Sequence, residues 1–519
     1  MSLHSVEIPP PAARIRTPVA ATPEAARSAR TGLAMSVATF AMAMASAAQA
    51  VLYLSEFGMS GRTDGFFVAF ALYTTFGVFS QSLRLTSVPL LLGEKARLSA
   101  RDFAAVLAVI GVPVLIATGP LAGVLAGLLA PSLSAADRAV TESALPILGV
   151  ATVLQLWAAG AATLLAVRDR FIAVAGSYIA GSAAGLATYL VLSGSAGELV
   201  LGWSMFAMAL VTCAGMLAGV RASGGLGASS GRLRLRVLPA SIGMVFGRTA
   251  VYLAVNLLFV VTLAIASGAA AGDVTVLSYA YLYASYLVAG TGLAMGMSRI
   301  PEMTRVALIE RRAVIADNVP PGFRYAMMIV APALAGLVAA GAPLIGAVFP
   351  ASLDADGVHD MRVFGALLAA WTIAALLVSF LLPAAFALGR ARFVNLLALP
   401  LVAVHVAATL AGRALFGVDG AVAAFVVAPA CFAVVLLLAC VPDDRGALVR
   451  RLAADGLRFS GIAVVAFGAG ALVAAVVTDG GFVGAALAAA IGVVGYAGLL
   501  RVVARREVDA LLSALRPGT

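Results

Sequence analysis

Arg248 lies inside a long apolar segment, about ten residues or ~15 Å from its start if that segment is helical. Tyr252 and Asn256 follow at intervals of four residues, so all three side chains lie near one helical face. A guanidinium binds phosphate with paired hydrogen bonds. We therefore interpret this face as the lining of a cavity, with Arg248 meeting a phosphate. The alternative is a structural arginine that bonds to backbone carbonyls.

A second group of polar side chains forms a helical stripe of tyrosines, Tyr279, Tyr283 and Tyr286. Their rings could stack on a sugar, and their hydroxyls could bond to it. Packing between helices explains the same spacing and is the favoured reading.

Four further residues are candidates near the ends of apolar segments. Gln81 and Arg84 are either contacts for a head group at an inner portal or a simple anchor at the membrane surface. Glu56 and Asp64 lie at the opposite rim, where a gate and a turn or helix cap are equally favoured. His405 is a lone histidine on an apolar face, and a satisfied core position is favoured over a proton relay.

The composition sets the protein class. Hydrophobic residues make up 62% of the 519 residues and charged residues 11%, and the mean hydropathy is +1.05. Soluble domains are nearer half apolar and a quarter charged, so a polytopic membrane protein is predicted. The net charge of +10 rests almost wholly on arginine, which suits cytoplasmic anchors better than nucleic-acid binding. The three cysteines show no metal-binding or disulfide spacing, and no cofactor or metal is expected.

Fourteen apolar segments are long enough to cross a bilayer as helices. They are 33–55, 65–92, 103–129, 143–167, 171–193, 198–220, 238–267, 274–300, 325–349, 361–388, 393–412, 418–440, 458–477 and 481–503. With both termini in the cytoplasm, arginines concentrate in the inner segments and the outer loops are acidic, as the positive-inside rule requires. This pattern predicts an all-α, multi-pass protein of a bacterial cytoplasmic membrane.

The sequence contains an internal repeat. Ser132-Leu133 recurs as Ser352-Leu353, and "RDRF" at 168–171 recurs as "RARF" at 390–393, each time around a long apolar helix. The offset of about 220 residues equals six spans, so the two halves enter the membrane in the same direction, as in one class of transporters. The arginines of both copies are expected to anchor cytoplasmic loops to anionic lipids.

These features divide the chain into predicted parts. They are a disordered cytoplasmic tail (1–32), an N-terminal lobe (33–220), a Gly/Ser-rich and then basic linker (221–237), a C-terminal lobe (238–440), two further helices (441–503) and a cytoplasmic C-terminal tail (504–519).

Three stretches resemble the MviN/MurJ family of lipid II flippases. They are "GMSGRTDGFFVAF" (58–70), "FSQSLRLTSVPLLLGE" (79–94) and "RIPEMTR" (299–305), and their order along the chain also fits. The resemblance implies the fold of the multidrug/oligosaccharidyl-lipid/polysaccharide (MOP) exporters, with two six-helix lobes that rock around a cavity. It also implies an undecaprenyl-pyrophosphate-linked sugar as the cargo and a groove for its lipid tail in 441–503.

The chain departs from that family at the family's cavity arginines. Its first span carries Gln49 and no arginine, and 71–81 and 279–290 also lack the arginines that the family has there. The cargo is therefore expected to be lipid II or another lipid-linked glycan, moved by a monomeric, non-enzymatic flippase surrounded by membrane lipids.

Four alternative functions remain for comparison. A drug exporter of the same superfamily is disfavoured if it couples to cations, because no carboxylate lies at mid-depth in a predicted span. An enzyme is disfavoured because "DADGVHD" (354–360) is the only acidic cluster and lies in a short loop. Export of a polysaccharide unit, or a scaffold that keeps the fold without transport, stays open.

The interpretation of Arg248 predicts that Arg248→Ala abolishes translocation while the protein still folds. The measurement is flipping of an undecaprenyl-linked cargo in proteoliposomes, with thermal unfolding as the check on folding. Arg413→Ala, in a predicted outer loop, is the control and should keep its activity. Full activity of Arg248→Ala would remove this arginine from the mechanism.

Overall fold

A computed structural model describes residues 42–91 (43, 44 and 47 excepted), 99–168, 170–224, 238–267, 270–293, 311–348, 355–441, 445–478 and 481–509. This part of the chain is helical and contains no strand, which confirms the predicted all-α class. Within it, ten helices are long and apolar enough to cross a membrane. The predicted tail 1–32, most of the linker 221–237 and residues 510–519 lie outside the described residues.

The helices, numbered along the chain, have the following bounds. They are α1 (48–57), α2 (Gly61–Leu91), α3 (Ala100–Thr118), α4 (Ala122–Leu129), α5 (Ala135–Val167), α6 (Phe171–Leu192), α7 (Val200–Ala222), α8 (Leu238–Ala266), α9 (Asp273–Val288), α10 (Arg311–Val348), α11 (Ala355–Ala387), α12 (Ala391–Leu396), α13 (Ala398–Ala424), α14 (Val427–Cys440), α15 (Arg445–Val477) and α16 (Gly481–Val503).

Several helices begin earlier than their apolar segments. The α5 helix starts at Ala135 rather than at 143, because Ser134 caps it. The Asp137 amide donates to Ser134 Oγ (3.2 Å), and this hydroxyl donates in turn to Asp137 Oδ2 (2.6 Å). The first bond satisfies a backbone donor at the helix start, and the second holds the serine side chain in place. The acidic segment after Ser132-Leu133, predicted as a loop, is therefore the first turns of a helix.

Two predicted spans are interrupted. The segment 103–129 divides into α3 and α4 around Gly119 and Pro120, where proline cannot donate a helical hydrogen bond. In α13, Phe416 and Gly417 leave the helical conformation, and Gly417 adopts φ +67°. This kink separates the predicted spans 393–412 and 418–440.

The helices pack into two halves, as predicted, and the last two helices form an addition to them. In the first half α5 packs against α2, α3 and α7; in the second, α11 packs against α9, α10 and α14, and α8 against α13. The halves meet where α2 contacts α8 and α9. The last two helices, α15 and α16, pack on each other and on α10. The exact residue boundaries of the predicted parts stay a prediction.

Similar turns end α5 and α11, although the repeated arginine motifs are shifted by two residues relative to these turns. The Arg170 amide donates to Leu165 O (2.9 Å) and the Arg390 amide to Ala385 O (3.0 Å), in each case five residues back. The Arg168 guanidinium donates to Val220 O (3.3 Å) and to Ser223 Oγ (2.9 Å), at the end of α7. Arg168 thus satisfies carbonyls at a helix end, where a cation is also favoured by the helix dipole.

Ion pairs attach the last two helices to the second half. Arg324 of α10 pairs with the buried Asp455 of α15 (Nε–Oδ2 3.0 Å) and with Glu507 (3.6 Å), and Arg458 also pairs with Glu507 (3.2 Å). Burial acts to raise the pKa of Glu507, but its hydrogen bonds and the two arginines outweigh burial and hold the pKa below its ordinary value. Residues 505–509, in the predicted C-terminal tail, are therefore a helical part of this contact.

Candidate functional site

A cavity of about 390 Å³ lies between the two halves. Its walls come from α1, α2 and α5–α7 on one side and from α8, α9, α11, α13 and α14 on the other. The described lining residues are apolar, aromatic, hydroxyl or amide side chains, and none of them is Asp, Glu, Lys, Arg or His. We call this cavity the chamber. Concave, mostly apolar cavities with a few polar groups are the usual form of binding sites for small molecules.

The predicted polar face of α8 reaches the chamber. Tyr252 and Asn256 both line it. Asn256 is held by its own Nδ2, which donates to Tyr252 O (2.8 Å), and by Thr75 Oγ1 of α2, which donates to Asn256 O (3.3 Å). Arg248 lies one turn before Tyr252 in α8, and its side chain is outside the described residues.

The predicted tyrosine stripe of α9 divides between two roles. Tyr286 lines the chamber. Tyr279 donates to Ala50 O (2.5 Å) and packs against Phe67, and Tyr283 donates to Ala333 O of α10 (2.9 Å). Tyr279 and Tyr283 therefore join helices, which is the packing role that the sequence favours.

Sequence reasoning missed several chamber residues, among them Tyr281, Trp371 and Gln155. Tyr281 lies in the same tyrosine run and lines the chamber beside Trp371, with ring centroids 5.1 Å apart. Gln155 of α5 also lines the chamber, and its Nε2 donates to Tyr73 Oη (2.5 Å). Gln155 is an amide within an apolar helix, so the same reasoning that singled out Arg248 would have found it.

Asp64 joins the two halves at the end of the bundle that the charge pattern predicts to face outward, here called the outer end. The residue is 1% exposed. Its Oδ2 accepts from the Gly272 amide (2.7 Å), and its Oδ1 accepts from the Thr275 amide (2.8 Å) and the Thr275 hydroxyl (2.6 Å). Asp64, in the first turn of α2, thus caps the start of α9, where a negative charge is favoured.

The remaining predicted candidates are Glu56, His405, Gln81 and Arg84. Glu56 accepts from Tyr189 Oη (3.0 Å) and the Gly194 amide (3.0 Å), so it ties α1 to α6 within the first half. His405 is buried in the second half, and its Nε2 lies 2.9 Å from Thr262 Oγ1. The side chains of Gln81 and Arg84 in α2 lie outside the described residues.

The Asp64 contact predicts that Asp64→Asn opens the outer end. The amide places donors against the donors of α9, and each lost charge-assisted bond is worth about 1.5–3 kcal/mol. The measurement is the distance between spin labels at the exposed positions Ser195 and Asp419, in protein whose three cysteines are replaced by alanine. We expect a longer-distance population that is at least about tenfold larger than in the parent.

Glu56→Gln is the matched control, because its hydrogen-bond partners in the described part of the chain, Tyr189 and Gly194, lie in the first half. It should leave the distance distribution unchanged. An unchanged distribution in Asp64→Asn, or an equal change in both variants, would show that Asp64 does not hold the outer end closed.

Solved structures with low sequence identity to this chain share its fold. No protein-family model and no curated protein matches the chain. The lipid II flippase MurJ in an inward closed conformation matches with a TM-score of 0.72 and 13% identity over 91% of this chain and 99% of that chain. An outward-facing multidrug resistance MATE family transporter of the MOP superfamily matches with a TM-score of 0.57 and 12% identity, over 82% of this chain and 96% of that one.

A MOP superfamily transporter from Pyrococcus furiosus matches with a TM-score of 0.55 and 13% identity, over 83% of this chain and 96% of that one. These likenesses extend over most of both chains in each pair. The fold that the MviN/MurJ resemblance predicts is therefore confirmed: the chain has the MurJ-like fold shared by transporters of the MOP superfamily.

Proposed function

We propose that this protein is an alternating-access transporter that moves a lipid-linked cell-envelope precursor, an undecaprenyl-pyrophosphate-linked saccharide, from the inner to the outer leaflet. The observation that carries the proposal is the Asp64 contact with α9. It joins, at the predicted outer end, the two halves that line the chamber. The fold shared with the MurJ flippase supports the choice of cargo class.

The part of the contact between the halves that lies at the start of α9 suits a gate because it is polar. Asp64, Thr63 and Thr275 join α2 to α9 by hydrogen bonds between their side chains and the start of α9. Once these bonds break, water at the outer surface can satisfy the same groups, which limits what these bonds add to the cost of opening. Within each half, long helix faces pack against one another, as α2 does on α5 and α6 on α7.

The dimensions of the chamber match the head group rather than the whole lipid. A cavity of about 390 Å³ is in the range of small-molecule sites. A polyprenyl tail is far longer, and it remains in the hydrocarbon while the head group crosses. The last two helices, α15 and α16, expose many apolar side chains, including Leu472, Val476 and Val494. We propose this face as the path of the tail.

The proposal also includes the oligomeric state, the location and the orientation of the protein. It works as a monomer in a bacterial cytoplasmic membrane, with both termini in the cytoplasm, and the arginines of the inner segments hold it in that orientation. No catalytic group is required, because moving a head group between leaflets breaks no covalent bond.

A disulfide across the gate should stop transport reversibly. Thr63 Oγ1 and Thr275 Oγ1 lie 3.1 Å apart in opposite halves. With Thr63→Cys and Thr275→Cys in a background without the native cysteines, oxidation should reduce flipping of a fluorescent undecaprenyl-pyrophosphate-linked saccharide in proteoliposomes to the background rate. A reductant should restore it, because the halves can then separate.

The two single-cysteine variants are the controls and should be insensitive to oxidation. A scaffold without transport would show no flipping in any of these proteins. Flipping that continues in the crosslinked protein would contradict alternating access through this gate. If the crosslink stops export of an aromatic drug but the lipid-linked saccharide is never moved, the transport mechanism stands and the proposed cargo is wrong.

A further inference from the structure

Five of the serine and threonine hydroxyls that line the chamber are bonded within their own helices. Each donates to a carbonyl three or four residues back, at 2.8 or 2.9 Å; they are Thr74, Thr75, Ser80, Ser285 and Ser379. This is the usual bond of a hydroxyl in a helix, and it uses the one hydrogen that the hydroxyl carries. These side chains therefore have no donor left for a ligand.

Tyr73 of α2 and Gln155 of α5 form a different kind of contact on the first-half wall. Gln155 Nε2 donates to Tyr73 Oη (2.5 Å), and both residues line the chamber. The tyrosine oxygen is the acceptor in this bond, so the tyrosine hydrogen stays available. Gln155 Oε1 likewise has no hydrogen-bond partner in the described part of the chain. The pair therefore offers one donor and one acceptor to the chamber.

Gly77 keeps the space beside that acceptor open. It lies one turn after Tyr73 on α2 and also lines the chamber. A Cβ on Gly77 would lie 3.5 Å from Gln155 Oε1, and it would meet no other described helix within 4 Å. The amide oxygen of Gln155 therefore borders the open chamber and not packed protein.

The donor and the acceptor of this pair lie side by side. Nε2 and Oε1 of Gln155 belong to one planar amide, and Nε2 is held against Tyr73, whose side chain is buried. Turning the amide over exchanges the two roles, because Tyr73 then donates to Oε1 and Nε2 becomes the available donor. One donor and one acceptor face the chamber in both arrangements.

Asn256 of α8 brings a second acceptor to the same depth from the other half. Its backbone carbonyl accepts from Thr75 Oγ1 (3.3 Å), and Thr75 lies between Tyr73 and Gly77 on α2. Asn256 Nδ2 donates to Tyr252 O (2.8 Å), and Oδ1 has no partner among the described residues. The Asn256 side chain lines the chamber. Polar groups of both halves therefore meet at one level of the chamber.

Neighbouring hydroxyls on a sugar ring complement the Tyr73–Gln155 pair. A hydroxyl both donates and accepts, so one hydroxyl can donate to Gln155 Oε1 while the next accepts from Tyr73. A group with acceptors alone, such as an ether, would leave Oε1 without a bond, and such a loss is costly where water is excluded. This restriction applies to the group that meets Oε1, and it sets no limit on a phosphate elsewhere on the path, for example at Arg248.

We propose that Tyr73 and Gln155 form a subsite that binds two neighbouring hydroxyls of a saccharide, and that Asn256 accepts a hydrogen bond from the same sugar across the chamber. Gly77 leaves room for the sugar ring beside the pair. The inference rests on the proposed function, because it names the part of the cargo that these residues hold.

Ligand-observed NMR measures this binding directly. The protein is held in lipid nanodiscs, because sugar-based detergents would compete for the subsite. The probes are methyl β-glucoside, which has neighbouring hydroxyls, and its tetra-O-methyl ether, which keeps the oxygens as acceptors but has no hydrogen to donate. We expect saturation transfer to the glucoside that reaches a plateau with concentration and is absent with empty nanodiscs. The affinity for the ether should be at least about tenfold lower.

Three substitutions, Tyr73→Phe, Gln155→Leu and Asn256→Leu, should each weaken glucoside binding by about fivefold or more, as expected for one lost hydrogen bond. Thr74→Val is the matched control and should keep the parent affinity, because the Thr74 hydroxyl lines the chamber but already donates to Ala71 O. Thermal unfolding separates binding from structure. A Tyr73–Gln155 bond that only joined α2 to α5 would lower the unfolding temperature when removed and would leave glucoside binding unchanged.

Three results would overturn the subsite. They are the absence of saturable transfer to the glucoside, equal or tighter binding of the ether, and glucoside binding that is unchanged in any of the three substituted proteins. The assay requires no transport. Glucoside binding without flipping of an undecaprenyl-linked cargo would therefore refute the proposed function alone, and flipping without glucoside binding would refute the subsite alone.

Discussion

The structure depends on one carboxylate at the start of one helix. Asp64 accepts three hydrogen bonds from Gly272 and Thr275, and it is buried in doing so. A buried charge without hydrogen-bond partners would be costly, so these three bonds are what allow the Asp64 carboxylate to be buried. The same contact brings α2 of the first half against α9 of the second. Separation of the halves at the outer end therefore has to break this contact.

The described lining of the chamber between the two halves is uncharged. Its described walls offer aromatic rings, hydroxyls and amides, from Tyr252 and Asn256 on α8 to Gln155 on α5. The Arg248 position lies one turn from Tyr252 in the same helix. None of the described lining residues is an arginine. This composition is consistent with the absence of the MviN/MurJ cavity arginines from 41–58, 71–81 and 279–290.

The sequence predicted those features that follow from periodicity and charge. Apolar length located the spans, and helical spacing placed Tyr252 and Asn256 together on a face that does line the chamber. The spacing of residues predicts which side chains share a helical face, but it does not predict what that face packs against. The sequence therefore could not tell that Tyr281 lines the chamber while Tyr283 bonds to α10. For the same reason it placed Asp64 at the rim without its partner Thr275, which lies 211 residues away. Helix starts were missed where a capping serine, such as Ser134, extends a helix into polar sequence.

The central claim is that the chamber opens alternately to the two sides of the membrane. Ser285 lines the chamber from α9, and Ser285→Cys in a background without native cysteines places one thiol there. A membrane-impermeant maleimide is then added to either side of oriented vesicles. Alternating access predicts that this thiol is labelled from both sides, and that adding the Thr63–Thr275 disulfide abolishes labelling from the outer side alone. Labelling from one side only, with or without the disulfide, would contradict the account.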